Sequence, residues 1–241
     1  MRTVKLLLMV VGGFFFLLLA VVGSVVFFGN SVQDASAPVF APDPMLVARG
    51  EYVARLGDCF ACHTSDKGPA MAGGRELATP FGKVFSTNIT PDKQTGIGQY
   101  SFGQFDRAIR RGVAADGHNL YPAMPYPSYA KVSEDDMRAL YSYFQLGVAA
   151  VNQPSKPAEM QWPFSMRWGL MFWNWAFLDD TPFKPDAGKD AIWNRGAYLV
   201  QGLGHCGSCH TPRGIDGTEP FQHGFRRHGG GYPFKQPALL G

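Results

Sequence analysis

The sequence predicts a mainly α-helical chain, with an N-terminal membrane helix followed by two tandem units of similar plan, the second of them incomplete. Three observations support this fold class. An uncharged apolar stretch occupies positions 6–28, apolar residues recur at helical spacing in later segments, and the motif Cys-x-x-Cys-His occurs once in each half of the chain. Because residues three and four apart share one face of a helix, the recurring apolar positions indicate helices that pack on a common core.

The composition indicates a globular, loop-rich protein. The chain has 241 residues, of which 46% are hydrophobic and 14% aromatic, enough to build one large core or two small ones. It contains 29 glycines and 18 prolines without a fixed period, unlike a fibrous protein. The formal net charge is +3, and the lysines and arginines are scattered instead of forming a basic stripe, so the sequence predicts no nucleic-acid partner.

Residues 1–30 are predicted to be a membrane anchor or a secretory signal. Positions 6–28 carry no charge, and at about 1.5 Å per residue a helix of this length would cross a hydrocarbon layer of about 30 Å. Signal peptides have shorter apolar cores, which favours the anchor, although the small residues at 35–37 fit a cleavage site. Because Arg2 and Lys5 precede the apolar stretch, the rest of the chain is expected outside the cytoplasm.

A short, proline-punctuated tether at 31–43 is predicted to connect this segment to the first unit, which spans 44–149. Asp43 followed by Pro44 makes a good helix cap and first helical residue. A helix is therefore expected to begin here and to lead into the first Cys-x-x-Cys-His motif.

The rest of the first unit is predicted to hold loops and two more helices. A region rich in glycine, proline and threonine at 64–98 shows no sustained apolar period and little strand character. A short helix is expected near 102–111. A longer one is expected at about 133–146, where Ser133 and a carboxylate three residues later form a capping signature.

The second half of the chain repeats the opening of the first. Positions 150–190 are predicted to be an aromatic connector between the units; a location at a membrane interface, where tryptophan is enriched, is the alternative. The sequence RGEYVARLGDCFACHT at 49–64 then returns as RGAYLVQGLGHCGSCHT at 195–211, with one residue inserted. This internal duplication predicts a partial second unit at 191–241 and a shared task for the two copies.

The two motifs, GDCFACHT and GHCGSCHT, contain all four cysteines of the chain. A disulfide framework would spread its cysteines to join distant loops, and a redox Cys-x-x-Cys pair expects a βαβ unit that this sequence does not predict. A zinc ribbon needs two pairs about 15 to 20 residues apart, whereas the pairs here begin at Cys59 and Cys206. These three kinds of site are therefore disfavoured.

Covalent attachment of haem c accounts for each position of the motif. Two thiols three residues apart add to the two vinyl groups of haem, and the adjacent histidine is held against the iron as an axial ligand. The sequence therefore predicts two haem c sites in tandem class I-like cytochrome c domains. The site residues are Cys59, Cys62 and His63 in the first domain and Cys206, Cys209 and His210 in the second.

The second axial ligand of the first haem is predicted to be Met124. This residue lies between two prolines in the loop YPAMPY, a stiff setting that suits ligation better than the filling of a core gap. His118 is the remaining alternative, because Met71 is too close in sequence to His63 and Met137 belongs to a helix interior.

The second haem has no equivalent methionine, since none follows Met171 in the sequence. His223 or His228 could take its place, the iron could be five-coordinate, or the chain could be truncated. Truncation is the favoured interpretation, because the tail QHGFRRHGGGYPFKQPALLG at 222–241 resembles nothing in the first domain.

These residues resemble a known family, the multi-haem cytochrome c subunits of membrane-bound bacterial dehydrogenases such as quinoprotein alcohol dehydrogenase and flavoprotein gluconate dehydrogenase. The resemblance extends over 46–214. It includes the strings ARGEYVARLGDCFACHT, FGKVFSTNITPDKQTGIGQYSFGQFDRAIRRGV, DGHNLYPAMPYPSY and WNRGAYLVQGLGHCGSCHTPRG. The family has three haem domains, whereas this chain holds one complete domain and part of a second.

The resemblance implies that Met124 is an axial ligand. It also suggests that Thr87 and Asn88, in the STNIT stretch, help to close the haem pocket, although an ordinary loop is the favoured interpretation. The implied electron path starts at a catalytic dehydrogenase subunit of the quinoprotein, flavoprotein or molybdenum type. It ends at ubiquinone or a terminal oxidase.

The predicted function is thus a one-electron relay without substrate chemistry by the chain itself. The expected location is the bacterial inner membrane, with an N-terminal anchor and haem domains in the periplasm. The alternative class is a haem enzyme or gas sensor, in which the second iron keeps an open position for a small ligand.

Overall fold

The computed structural model of the chain describes residues 9–17, 20, 21, 23 and 43–210. The predicted tether, apart from Asp43, lies outside the described residues, as does the cleavage site at 35–37. The part of the predicted second unit beyond His210 also lies outside them. The boundaries of the two units stay predictions.

The described residues 43–147 contain a set of packed helices. These are α1 (Pro44–Leu56), α2 (Cys59–His63), α3 (Phe102–Arg111), α4 (Tyr126–Tyr129) and α5 (Glu134–Ser142), which continues as a π-helical turn (Tyr143–Gly147). The later part contains α6 (Gly169–Phe177), α7 (Ala191–Tyr198), a second π-helical turn (Leu199–Leu203) and α8 (Gly207–His210). The helices predicted at 102–111 and 133–146 are confirmed.

Side-chain caps explain where these helices begin. The carboxylate of Asp43 accepts a hydrogen bond from the Met45 N–H at 2.9 Å, next to a proline at the first helical position. At the start of α3, Ser101 and Gln104 form a reciprocal capping box. The Ser133 hydroxyl accepts from the backbone N–H three residues later at 3.2 Å, as its sequence signature predicted.

The core lies where α1 crosses α5. Gly50 permits this close crossing, because a Cβ atom at that position would collide with the carbonyl of Ala139. The buried cluster consists of Val53, Ala54, Met71, Ile97, Phe105, Tyr129, Val132, Met137, Leu140, Phe144, Tyr198 and Leu203. The last two come from the later part of the chain, which therefore packs on the same core as the first part.

A small antiparallel sheet corrects the prediction of little strand in 64–98. Its strands are β1 (Glu76–Thr79), β2 (Gly82–Phe85) and β3 (Glu159–Met160), in the order β1-β2-β3. Gly82 has a φ of 137°, and a Cβ atom there would collide with the Glu159 carbonyl, so glycine lets β3 approach. Because β3 comes from a distant segment, local periodicity could not reveal this sheet.

The predicted fold class is also wrong in its N-terminal membrane helix. Among the described residues, no helix is both long enough and apolar enough to cross a membrane. The prediction depended on the length of the uncharged stretch, whereas a span requires a helix of about 20 residues. The longest described helical run in the apolar stretch is 9–17.

Candidate haem-attachment sites

A sharp turn presents the first Cys-x-x-Cys-His motif. Helix α1 ends at Leu56, and the Gly57 N–H donates to the Val53 carbonyl at 2.9 Å. Asp58 then adopts a left-handed conformation with φ 53°, a geometry that aspartate tolerates better than most residues. Helix α2 starts at the next residue, Cys59, so the turn places both cysteines and the histidine on one short helix.

The two thiols of the first motif are free and lie about one helical turn apart. Cys59 packs against the buried cluster, and burial raises its pKa to about 12. Burial and the nearby Asp58 charge also raise the pKa of Cys62. Two neutral thiols at this spacing suit the formation of two thioether bonds to one flat ligand.

The ring of His63 is oriented by a backbone carbonyl. Its Nδ1 lies 2.7 Å from the Thr87 oxygen, and because a carbonyl can only accept, Nδ1 carries the proton. Burial lowers the pKa of His63, against the opposing effect of this hydrogen bond. A neutral ring whose Nδ1–H is occupied offers Nε2 as a metal ligand, which is the arrangement that a haem iron requires.

The loop that carries this carbonyl is fixed from two sides. Gly73, with φ 74°, approaches so closely that a Cβ atom would collide with the Thr87 carbonyl, and its own N–H donates to the His63 carbonyl at 2.7 Å. On the other side, the Asn88 amide donates to the carbonyls of Val151 and Gln153 at 2.8 and 3.1 Å.

Asn88 is therefore a structural residue of this loop. Its side-chain oxygen also accepts two hydrogen bonds from Thr90, and the whole residue is 2% exposed. Thr87 acts through its main chain, which any residue could supply. The STNIT stretch is thus held by specific hydrogen bonds, but no local sequence pattern indicates that its partners are at 151–153.

Met124 lies in a tight loop beside the core. Its N–H donates to the Tyr121 carbonyl at 3.3 Å, its carbonyl accepts from the Tyr126 N–H at 2.7 Å, and its side chain packs on the buried cluster that Cys59 also contacts. The loop thus brings the thioether to the cluster beside the first motif. Its role as an axial ligand stays a prediction.

The other residues considered for this ligation have different surroundings. The exposed ring of His118 is 2.6 Å from the Asp116 carboxylate. Met71 and Met137 are both core residues, 5% and 0% exposed. These contacts give each of the three a structural role of its own.

The second motif begins with the same turn as the first. The preceding helical segment ends at Leu203, a glycine follows, and His205 adopts a left-handed conformation with φ 36° before Cys206. A Cβ atom on Gly204 would lie 3.4 Å from Cys206 Sγ, and one on Gly57 would lie 3.5 Å from Cys59 Sγ. The duplicated sequence thus folds into a duplicated backbone.

The surroundings of the second motif differ from those of the first. Cys206 and His210 are exposed, and α8 carries Cys209 and His210. No hydrogen-bond partner of the His210 ring lies within residues 43–210. The candidate ligands His223 and His228 fall outside the described residues.

Tyr129 connects the two motifs and was missed by the sequence analysis. Its hydroxyl donates to the Gly57 carbonyl at 2.6 Å, and its ring meets the His205 ring edge-on with centroids 5.7 Å apart. Leu203, 1% exposed, packs in the same cluster. An aromatic residue in a short helix carries no sequence signal for such a contact.

Comparison with curated proteins finds similar chains. The gluconate 2-dehydrogenase cytochrome c subunit of Pantoea cypripedii is 58% identical over 171 residues, which are 70% of this chain and 39% of that protein. The alcohol dehydrogenase (quinone) cytochrome c subunit of Gluconacetobacter polyoxogenes is 53% identical over 174 residues, 72% of this chain and 37% of that protein.

A third relative, the fructose dehydrogenase cytochrome subunit of Gluconobacter japonicus, is 45% identical over 169 residues, 69% of this chain and 35% of that protein. The chain thus spans less than two fifths of the length of these curated relatives. No protein-family model matches the chain.

Proposed function

Because this chain is homologous to the cytochrome c subunits of bacterial dehydrogenases, as its motifs predicted, we propose that it relays single electrons from a partner dehydrogenase through covalently bound haem c. The observation that carries the proposal is the His63 ring, held by the Thr87 carbonyl beside two free thiols. The names of the relatives support haem c as the cofactor, and the two repeated turns support two sites in this chain.

The residues of the first motif have distinct tasks. The Cys59 and Cys62 thiols would hold the haem through thioether bonds, and His63 Nε2 and the Met124 sulfur would bind its iron. When bound, haem c supplies an iron that gains and loses one electron. The Thr87 carbonyl keeps the proton of His63 on Nδ1, so that Nε2 stays available for ligation.

Cys206, Cys209 and His210 would perform the same tasks at the second site. Among the described residues, Cys206 and His210 are exposed, whereas the first site is packed against the core. The chain contributes attachment, orientation and exclusion of water, and the chemistry on the substrate belongs to the partner.

The partner we propose is a catalytic dehydrogenase subunit acting on gluconate, an alcohol or fructose, by likeness to the three relatives. The proposed acceptor is ubiquinone or a terminal oxidase. We place the haem domains in the periplasm, at the inner membrane, because covalent haem attachment takes place outside the cytoplasm in bacteria.

The test uses the full chain, tagged and produced in its own bacterium so that its dehydrogenase co-purifies. Gluconate, ethanol and fructose are added in turn without air, and haem reduction is followed by absorbance. We expect one of them to reduce the haem through the co-purified subunit, and the same complex without substrate to stay oxidised.

Substrate oxidation that proceeds with an artificial dye while the haem stays oxidised would refute the proposal. Peroxide turnover by the chain without a partner would instead support the haem-enzyme alternative.

A further inference from the structure

Tyr129 touches the chain just before the first cysteine of each motif. Its hydroxyl reaches the Gly57 carbonyl, two residues before Cys59, at 2.6 Å. Its ring meets the ring of His205, the residue directly before Cys206, at 5.7 Å between centroids. One hydrogen bond and one ring contact therefore connect the two proposed sites of haem attachment.

This contact belongs to a larger packed interface. The Tyr198 hydroxyl donates to the Asp136 carboxylate at 2.7 Å and accepts from the Ser133 N–H at 3.1 Å. The same carboxylate group accepts from the Arg49 guanidinium at 2.7 Å. Because Tyr198 precedes the second motif and Asp136 belongs to the core helix α5, these bonds hold the second motif against the first part of the chain.

The packing around Tyr129 leaves little freedom between the motifs. Tyr129 and Leu203 both belong to the buried cluster, and Leu203 lies 3.7 Å from where a Gly57 Cβ atom would be. Close packing of this kind transmits a shift at one side to the other. The relative position of the two turns is therefore set by residues that Tyr129 contacts directly.

We propose that Tyr129 couples the two haem sites, both by fixing the spacing of the two attachment turns and by providing the contact through which an electron passes. This inference rests on the proposed function. With a haem at each site, one electron would leave one iron and arrive at the other, so that the first would be oxidised and the second reduced. Tyr129 keeps its proton and its electrons, because the Gly57 carbonyl that it faces accepts a hydrogen bond but is too weak a base to remove the proton.

Two substitutions separate the two contacts of Tyr129. Tyr129→Phe removes the hydrogen bond and keeps the ring, whereas Tyr129→Leu removes both. Tyr141→Phe is the matched control, because the Tyr141 hydroxyl also donates to a backbone carbonyl, that of Tyr100 at 2.8 Å, away from the second motif. Each hydroxyl deletion should lower the folding equilibrium constant by about fivefold, so the control reproduces the purely structural loss.

The decisive measurement is transfer between the haems in the full, haem-loaded chain. A pulse of radiolytic electrons reduces a small fraction of the haem without any dehydrogenase, and absorbance then follows redistribution between the two sites. We expect the fast redistribution of the wild type to slow in Tyr129→Phe and to be lost in Tyr129→Leu. The Tyr141→Phe protein should match the wild type.

A second measurement needs no electron transfer. The unfolding of Tyr129→Leu, His205→Ala and the double variant forms a double-mutant cycle, in which the two rings should couple by about fivefold in the unfolding constant. If Tyr129→Leu fails to load haem, Tyr129→Phe still decides the kinetic prediction.

The inference is overturned if redistribution is equally fast in the wild type and in a Tyr129 variant that holds two haems, or if Tyr141→Phe slows it as much as Tyr129→Phe does. It is also overturned if the two rings show no coupling. The proposed function fails separately, when the partner dehydrogenase cannot reduce the wild-type haem, since the pulse experiment does not involve that partner.

Discussion

Each of the two Cys-x-x-Cys-His motifs follows the same kind of backbone turn, but the two motifs lie in different surroundings. In each, a glycine and a left-handed residue lead from a helix into the first cysteine. At the first motif, Cys59 packs on the core and the Thr87 carbonyl orients His63. At the second, Cys206 and His210 are exposed.

This difference shows that the motif and its enclosure are encoded separately. The turn depends on a few adjacent residues, which the duplication repeats. The enclosure of the first motif comes from segments far along the chain, including the loop of Thr87, the loop of Met124 and the segment at 151–153. The motif therefore predicts attachment, whereas the following residues decide how the site is shielded and oriented.

The largest expected effect is the loss of one haem from either motif. Cys59→Ser with Cys62→Ser should remove the first haem, and Cys206→Ser with Cys209→Ser the second, because thioether bonds need both thiols. The first pair should also lower the unfolding temperature more, because the covalently attached haem would be packed and ligated only in the folded state and the first site lies against the core. Haem per chain and thermal unfolding check both effects.

Equal unfolding temperatures for the two double variants would contradict the contrast in burial between the motifs. A haem content that is unchanged in either double variant would contradict covalent attachment at that motif.

The next effect concerns the ligand that only the first motif is predicted to have. Met124→Leu should open the first haem to carbon monoxide and lower its reduction potential, because a thioether ligand raises the potential of a haem iron. The side chain is partly buried, so Met124→Ala should cost about 2 kcal/mol of stability, whereas the leucine variant keeps most of the packing. Spectra with carbon monoxide and redox titration measure the result.

His118→Ala is the control, because the ring of His118 is engaged by Asp116. It should leave the carbon monoxide response and the potential unchanged. If His118→Ala opened the first haem and Met124→Leu did not, the ligand assignment would move to His118.

The sequence predicted the parts of this molecule that local patterns encode. The caps at Asp43 and Ser133, the helices that follow them and the duplicated motif depend on residues a few positions apart. Tyr129 and β3 depend on contacts between segments far apart in sequence, which no local period records. The predicted membrane helix failed for a related reason, since uncharged length is necessary for a span but does not establish a continuous helix.

A smaller effect is expected from the loop that orients the first histidine. Asn88→Ala removes hydrogen bonds to Val151, Gln153 and Thr95 and leaves the buried Thr90 N–H without its acceptor, which should cost about 3 kcal/mol of stability. Asn152→Ala is the control, because this exposed side chain bonds to the surface residues Gln94 and Asp92 and should change stability by about 0.5 kcal/mol at most. Urea unfolding measures both, and equal midpoints would show that Asn88 does not hold the loop.

The smallest expected effect concerns the acid sensitivity of the Lys131–Asp179 ion pair, which lies beside the second motif. Burial would raise the pKa of Asp179, but hydrogen bonds from Lys131 and Thr181 outweigh it, so the pKa lies below its ordinary value of 3.8. A carboxyl group whose pKa is lowered by folding contributes stability above its unfolded pKa, and this contribution disappears as the pH falls through the folded pKa. The stability at stake is about 1 kcal/mol or less, because the pair is only partly shielded from water.

The Lys131–Asp179 ion pair should therefore weaken below about pH 4, where carboxyl groups take up protons. The backbone carbonyl of Lys131 accepts a hydrogen bond from the Phe183 N–H at 3.1 Å, and the Lys131 side chain lies beside Gly202. The ion pair therefore adjoins the segment that carries the second motif. Lys131→Met should flatten the decline of unfolding free energy with acid, whereas Lys184→Met, at an exposed lysine nearby, should leave it unchanged. Urea unfolding at a series of acidic pH values measures these slopes. An unchanged acid slope in Lys131→Met would show that the Lys131–Asp179 ion pair does not support the second motif.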